Sequence, residues 1–241
     1  MKGSNLVAVL ALILSIAAIA MCSVCCFGGK SKGGNVEQVL MENPEIITKA
    51  MQKAEEKRRE EAMAQFQKAI DANISELNNN PDSPVMGNPN GSVVLVEFFD
   101  FSCGYCHRLY PAIKAVIEKN PDLKVVTKEL AFVSPVSEYA GKAAIAANLQ
   151  GKYKAFYDAM FTYDGQFTEV RVDEIAVKVG LNLDQLKADM NSDKVKGIMR
   201  ANSELAGRIQ VSGVPTMVLN GKILQTINEV DIQNAINEAK K

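Results

Sequence analysis

The chain has no tryptophan and a single histidine, His107, among 241 residues. Aromatic residues make up 6% of it, and 27 lysines and arginines nearly cancel 28 aspartates and glutamates, leaving a net charge of −1. There is neither a basic excess to meet a phosphate backbone nor a supply of rings to stack on bases, so nucleic acid is not expected as a partner. Five cysteines are present, but only Cys103 and Cys106 lie beyond residue 27. Two cysteines that close together cannot form a structural disulfide framework. A tetrahedral zinc site would also lack its second cysteine or histidine pair, so no metal and no cofactor are expected. No internal repeat is visible.

One long uncharged run is present, the 22 residues from Leu6 to Phe27. As a helix it would rise roughly 33 Å, enough to cross a bilayer. Residues 1–27 are therefore expected to be a membrane anchor or a signal peptide, with Ala18-Ile19-Ala20 as a small-residue cleavage site. Lys2 on one side is balanced by Lys30 and Lys32 on the other, so charge does not set an orientation. Met21, not a small residue, precedes Cys22, which argues against a lipid anchor. Cys22, Cys25 and Cys26 read as small apolar members of the run.

Residues 28–35 are a Gly/Ser/Lys linker, and 36–80 read as a helical arm. A short helix over Asn35–Leu40 is followed by Asn43-Pro44, an N-cap with proline at the first helical position. From there to about Leu77 nothing breaks a helix. Apolar residues recur at Ile47, Met51, Ala54, Ala62, Phe66, Ala69, Ile70, Ile74 and Leu77, around a charged block at Glu55–Glu61. That pattern is thin for a core helix and suggests association with copies of itself; the rival reading is a solvated spacer. Residues 81–91, rich in Asn, Pro, Asp and Gly, read as a linker. Residues 92–241 read as the compact domain.

That domain is arranged around Val93–His107, VVLVEFFDFSCGYCH. Val93–Phe99 is a buried strand by composition and length, interrupted only by Glu97. After the turn Asp100-Phe101-Ser102 comes Cys103-Gly104-Tyr105-Cys106, then a helix over Arg108–Lys119 in which Pro111 is expected to introduce a kink. This order puts Cys103 at a helix N-terminus, where free N–H groups and the dipole favour a thiolate, so its pKa is expected to be lowered. A thiolate attacks disulfides, and Cys106, one turn further in, is placed to resolve the mixed disulfide. Two other readings stand beside this one. The pair is two small core residues, or Cys-x-x-Cys-His attaches a c-type haem with His107 as axial ligand.

A second strand follows at Leu123–Leu130. Helices are then expected at Ser137–Leu149, Tyr153–Phe161, Val172–Val179, Leu183–Met190 and Asp193–Ile209, a helical insert over about 137–209 within an α/β unit. Met217–Leu219 and Lys222–Leu224 flank Asn220-Gly221, a type I′ hairpin signal, and Glu229–Lys240 closes the chain as a helix. Val214-Pro215 stands just before the hairpin. A cis bond is expected there, leaving the preceding backbone free to pair with a peptide; a trans proline in a loop is the plainer alternative.

VEFFDFSCGYC, the insert and GVPTMVLNG, in that order, resemble the thioredoxin-fold, DsbA-like thiol–disulfide oxidoreductases over about residues 82–241. VLMENPEIITKAM is similar to the N-terminal arm of the ScsC-type subgroup. The resemblance implies an α/β thioredoxin fold with an inserted helical subdomain, preceded by the long arm and the apolar segment. It implies Cys103 as nucleophile, Cys106 as resolving thiol, Pro215 as the cis-proline facing them, and Val214 and Tyr105 on the substrate side. Glu97 takes the position of a buried acid that relays a proton for Cys106. Burial should raise its pKa, unless it lies on the solvent side of its strand. Gly-Tyr between the cysteines, where many DsbA oxidases have Pro-His, is the pair of the dimeric DsbC-type isomerases and implies a less extreme oxidant. His107 either favours the thiolate modestly or lies on the surface.

The resemblance thus implies an exported, periplasmic oxidase or isomerase, anchored in the inner membrane or released. Its partners would be unfolded or misfolded exported proteins, a membrane redox partner and further copies of the chain through residues 36–80. A c-type cytochrome and a non-catalytic, membrane-anchored scaffold or copper-binding protein are the rival functions.

Overall fold

The computed structural model describes residues 36–240. The apolar segment and the linker at 28–35 lie outside the described residues. Among those described, no helix is long and apolar enough to cross a membrane.

The chain divides into two compact units, Met1–Glu60 and Glu61–Lys241. In the first, helix α1 (Val36–Glu42) and the beginning of α2 (Glu45–Asn79) bury no residue. Val36, Val39, Met41, Ile46, Ile47 and Met51 are all exposed there.

The second unit is built on five strands: β1 (Val85–Gly87), β2 (Val93–Phe99), β3 (Leu123–Glu129), β4 (Thr216–Leu219) and β5 (Lys222–Leu224). They lie in the order β1-β3-β2-β4-β5. Only β2 and β3 are parallel, with Val93 opposite Leu123 and Phe99 opposite Glu129. The parallel pair needs a crossover, supplied by α3 (Gly104–Lys119). Between β3 and β4 come α4 (Ser137–Leu149), α5 (Tyr153–Phe161), α6 (Glu169–Lys178), α7 (Leu183–Met190) and α8 (Asp193–Arg208). These match the expected insert closely. The α6–α8 helices are opened by Thr168, Asn182 and Ser192, whose side chains accept backbone N–H groups of the first turn. The β4–β5 turn has φ of 44° at Asn220 and 80° at Gly221, the paired positive values of a type I′ turn. Helix α9 (Glu229–Ala239) ends the chain.

Strand alternation sorts the core into two clusters. Leu95, Phe99, Val125, Met217 and Leu219 face α3, α9 and the helical insert. Val96, Phe98, Val126 and Val218 face the other way, against Leu205, Ala206 and Ile209 and the second half of α2.

Two expected boundaries are corrected by this packing. The arm does not run to residue 80 as a separate element. Ile70 and Leu77 are fully buried in the sheet's second cluster, with Phe66, Ala69 and Ile74 packed around them. Two buried side chains of that size contribute about 1.5–3 kcal/mol each, and Arg208 adds an ion pair to Glu76 at 2.5 Å. The segment 81–91 is not simply a linker, since β1 pairs antiparallel with β3 and buries Met86. Its three residues are too short to show alternation between flanking turn formers.

Candidate active site

β2 ends at Phe99, and the next three residues turn the chain into α3. Cys103 is the N-cap of α3, with extended backbone (φ −85°, ψ 116°) and no side-chain cap bond. Its carbonyl accepts the first helical bond from His107 N at 3.1 Å, and its own N–H donates to Asp100 O at 3.0 Å. The Cys103 sulfur therefore sits at the positive end of the helix. The Val214–Pro215 bond is cis, and the Cys103 thiol donates to Val214 O at 3.3 Å. Residues 111 apart in sequence thus meet at one sulfur. Both cysteines are free thiols. Cys103 keeps 7% of its surface exposed and Cys106 none. Burial pushes the Cys106 thiol far above its ordinary range, and the nearby Glu97 carboxyl pushes it further.

Glu97 is fully buried, so its side chain does not take the solvent side of the strand. Tyr157 donates to its Oε2 at 2.9 Å, while Oε1 has no partner. Burial is the main reason its pKa is raised to about 7. Tyr105 is 58% exposed beside the cysteines, with the Arg108 guanidinium 3.9 Å from its ring centre.

His107 lies partly inward, at the edge of a groove. Its ring is half-buried, with Nε2 2.7 Å from Phe101 O and Nδ1 3.2 Å from Phe161 O. Each ring nitrogen thus faces a backbone carbonyl, and Cys106 faces the core. That arrangement offers neither an axial ligand nor two reachable sulfurs, so the residues present do not fit a haem.

Asp100 matters more than a turn residue should. Its buried carboxyl accepts Ser102 N–H and Ser137 Oγ–H at 2.8 Å each on one oxygen, and Phe132 and Val133 N–H at 3.1 and 3.0 Å on the other. The cysteine turn, the loop after β3 and the start of α4 are tied at this one side chain. Sequence reasoning passed over it, because an Asp before a Phe-Ser turn reads as ordinary turn chemistry. A groove of about 590 Å³ opens beside Ser102 and Gly104, lined also by Phe101, His107, Tyr163 and Phe167.

A thioredoxin-like oxidoreductase from Silicibacter pomeroyi superimposes with a TM-score of 0.66 at 34% identity, covering 69% of this chain and 96% of that one. ScsC of Proteus mirabilis shares the fold over 85% of this chain and 93% of its own, with a TM-score of 0.66 at 22% identity. The thiol:disulfide interchange protein DsbA of Yersinia pestis is 26% identical over 168 residues, 66% of this chain and 79% of that protein. The chain also matches a sodium/proton antiporter of Salinispora tropica, 26% identical over 57% of this chain, yet spans only 22% of that protein's length. Residues 94–237 match the DSBA-like thioredoxin domain. With that match covering both cysteines and the cis-proline, on an α/β sheet carrying the helical insert, the chain belongs to the DSBA-like thioredoxin domain family.

Proposed function

We propose that the protein exchanges disulfides with exported substrate proteins. The carrying observation is the Cys103 sulfur, held at a helix N-terminus within 3.3 Å of the carbonyl before a cis-proline. Cys103 attacks a substrate disulfide; its sulfur bonds one substrate sulfur and the other leaves as a thiolate. Cys106 then gives its proton to Glu97 and attacks the Cys103 sulfur. The mixed disulfide breaks, the Cys103–Cys106 disulfide forms, and the substrate leaves with two more electrons than it brought. Run backwards, the same steps oxidise a substrate dithiol. Val214 supplies backbone to the bound segment, and Tyr105 and the groove beside Gly104 contact its side chains.

The Gly-Tyr dipeptide and a self-associating arm favour shuffling or reduction, while the helical insert favours oxidation. Exposed apolar side chains on residues 36–51 support association between copies. The apolar segment before the arm supports export to a periplasm, anchored or released, and a membrane redox partner there would reset the cysteine pair.

Insulin reduction by dithiothreitol tests the exchange: Cys103→Ser is expected to abolish catalysis with the circular dichroism spectrum unchanged. Undiminished activity in that variant overturns the reading. Scrambled ribonuclease sets the direction, since recovery without added oxidant marks an isomerase and activity on reduced substrate alone marks an oxidase.

A further inference from the structure

Glu97 is not the only acid on its face of the sheet. In the parallel register it stands opposite Thr127, and Phe99 stands opposite Glu129, so residues 97, 127 and 129 point the same way. Glu129 is buried, accepts Tyr153 Oη–H at 2.6 Å and faces the Asn202 amide at 3.4 Å. Tyr153 and Tyr157 are one turn apart on α5, with ring centres 6.0 Å apart. Each hydroxyl thus serves one carboxyl.

The hydrogen-bond partners around this pair are neutral. The two tyrosines reach it from α5 and Asn202 from α8, while the Cys106 thiol on α3 lies close enough to feel the Glu97 charge. Helix α4 approaches through Gly141, where a Cβ would lie 3.5 Å from that of Glu129. Lys128, next along β3, bonds elsewhere: its Nζ donates to Ser83 Oγ at 2.7 Å and reaches Glu76 O at 3.4 Å. Its charge still favours an ionised Glu129. Two carboxyls sharing a buried space resist ionising together.

We infer that Glu97 and Glu129, each held by one of two neighbouring tyrosines, titrate as one unit, and that Glu129 is a positioning residue setting the proton affinity of Glu97. Burial pushes both carboxyls up, and the charge on Glu129 adds to the push on Glu97. Under the disulfide-exchange reading proposed above, Glu129 thereby sets the pH at which Cys106 can surrender its proton.

Carbon-13 NMR of side-chain carboxyls, on the full reduced chain, tests the pairing without any turnover. In the wild type, Glu97 and Glu129 are expected to share two titration steps. In Glu129→Gln the Glu97 curve is expected to collapse to one step, with its midpoint lower by roughly one pH unit. Glu129→Asp is expected to restore two steps. Should Glu129→Gln not fold, Glu97→Gln is the reciprocal probe, since coupling is mutual and the Glu129 midpoint must fall by the same amount. Superimposable curves in a folded variant overturn the inference. The pH profile of mixed-disulfide resolution by Cys106 should follow the Glu97 midpoint downward in Glu129→Gln. A shifted carboxyl with an unshifted profile overturns the link to Cys106 and leaves the insulin result untouched.

Discussion

Glu97→Gln separates the cost of a buried charge from the cost of a buried polar group. In the folded protein the carboxyl has a pKa of about 7, against 4.5 for the free side chain, chiefly through burial. A carboxyl whose folded value is raised binds more protons folded than unfolded between those two values. Stability is therefore lost as pH rises through that window, and the loss is complete above about 7. The full penalty is the difference between the two values times 1.36 kcal/mol, about 3 kcal/mol at pH 8 and about 1 kcal/mol at pH 5. Glutamine keeps an acceptor for Tyr157 and never ionises. It has its own cost, since the position of Oε1 offers no partner, but that cost does not change with pH. Relative to wild type, then, the variant should gain about 2 kcal/mol between pH 5 and pH 8. Urea unfolding of the reduced proteins at both pH values measures it. A variant-minus-wild-type difference that stays flat across the window would refute the argument, because it would mean Glu97 ionises in the folded state as easily as in water.

Three further outcomes follow from the same geometry. Asp100→Ala leaves four donors without their acceptor; at about 1–3 kcal/mol for each stranded group, not additive, urea unfolding should show a loss of about 3–5 kcal/mol. Iodoacetamide near neutral pH should label Cys103 and leave Cys106 untouched in the folded reduced protein, as read by mass spectrometry, because Cys106 is buried and its thiol is held well above its usual range. Leu77→Ala should destabilise the sheet domain by about 2–4 kcal/mol, whereas Met51→Ser should leave its melting unchanged while weakening self-association measured by light scattering.

The strand carrying the chemistry could be read directly, because Val93–Phe99 is continuous in β-formers and its observed bounds are the same. The insert was legible for a similar reason: each helix has its own period and most have a polar cap. What stayed hidden depends on partners distant in sequence. Ile47 and Met51 have the same helical spacing as Ile70, Ile74 and Leu77, yet of these five only Ile70 and Leu77 are fully buried. Spacing shows that a face is apolar; it does not show what covers it. Asp100 gave no sign of its four bonds, since its donors come from residues 102 to 137 and their convergence is tertiary. The lone histidine suggested a ligand or a surface group, and only the turn carrying Phe101 O and the end of α5 carrying Phe161 O reveal why its ring lies partly inward.

The helical insert explains most of what the sheet alone does not. A cysteine pair at a strand–helix junction needs only β2, α3 and the cis-proline. The groups that hold the buried carboxyls near it come from the insert: Tyr157 on Glu97, Tyr153 and Asn202 on Glu129, and Ser137 on Asp100. The strand register places the acids on the face the insert covers, while the opposite face at positions 96, 98 and 126 is apolar against α2 and α8. Had Glu97 fallen one residue earlier or later, alternation would have turned it away from Cys106 and into that second cluster. Under the proposed exchange, the position of one acid in the strand and the four-residue spacing of two tyrosines in the insert would together set how readily the buried thiol loses its proton.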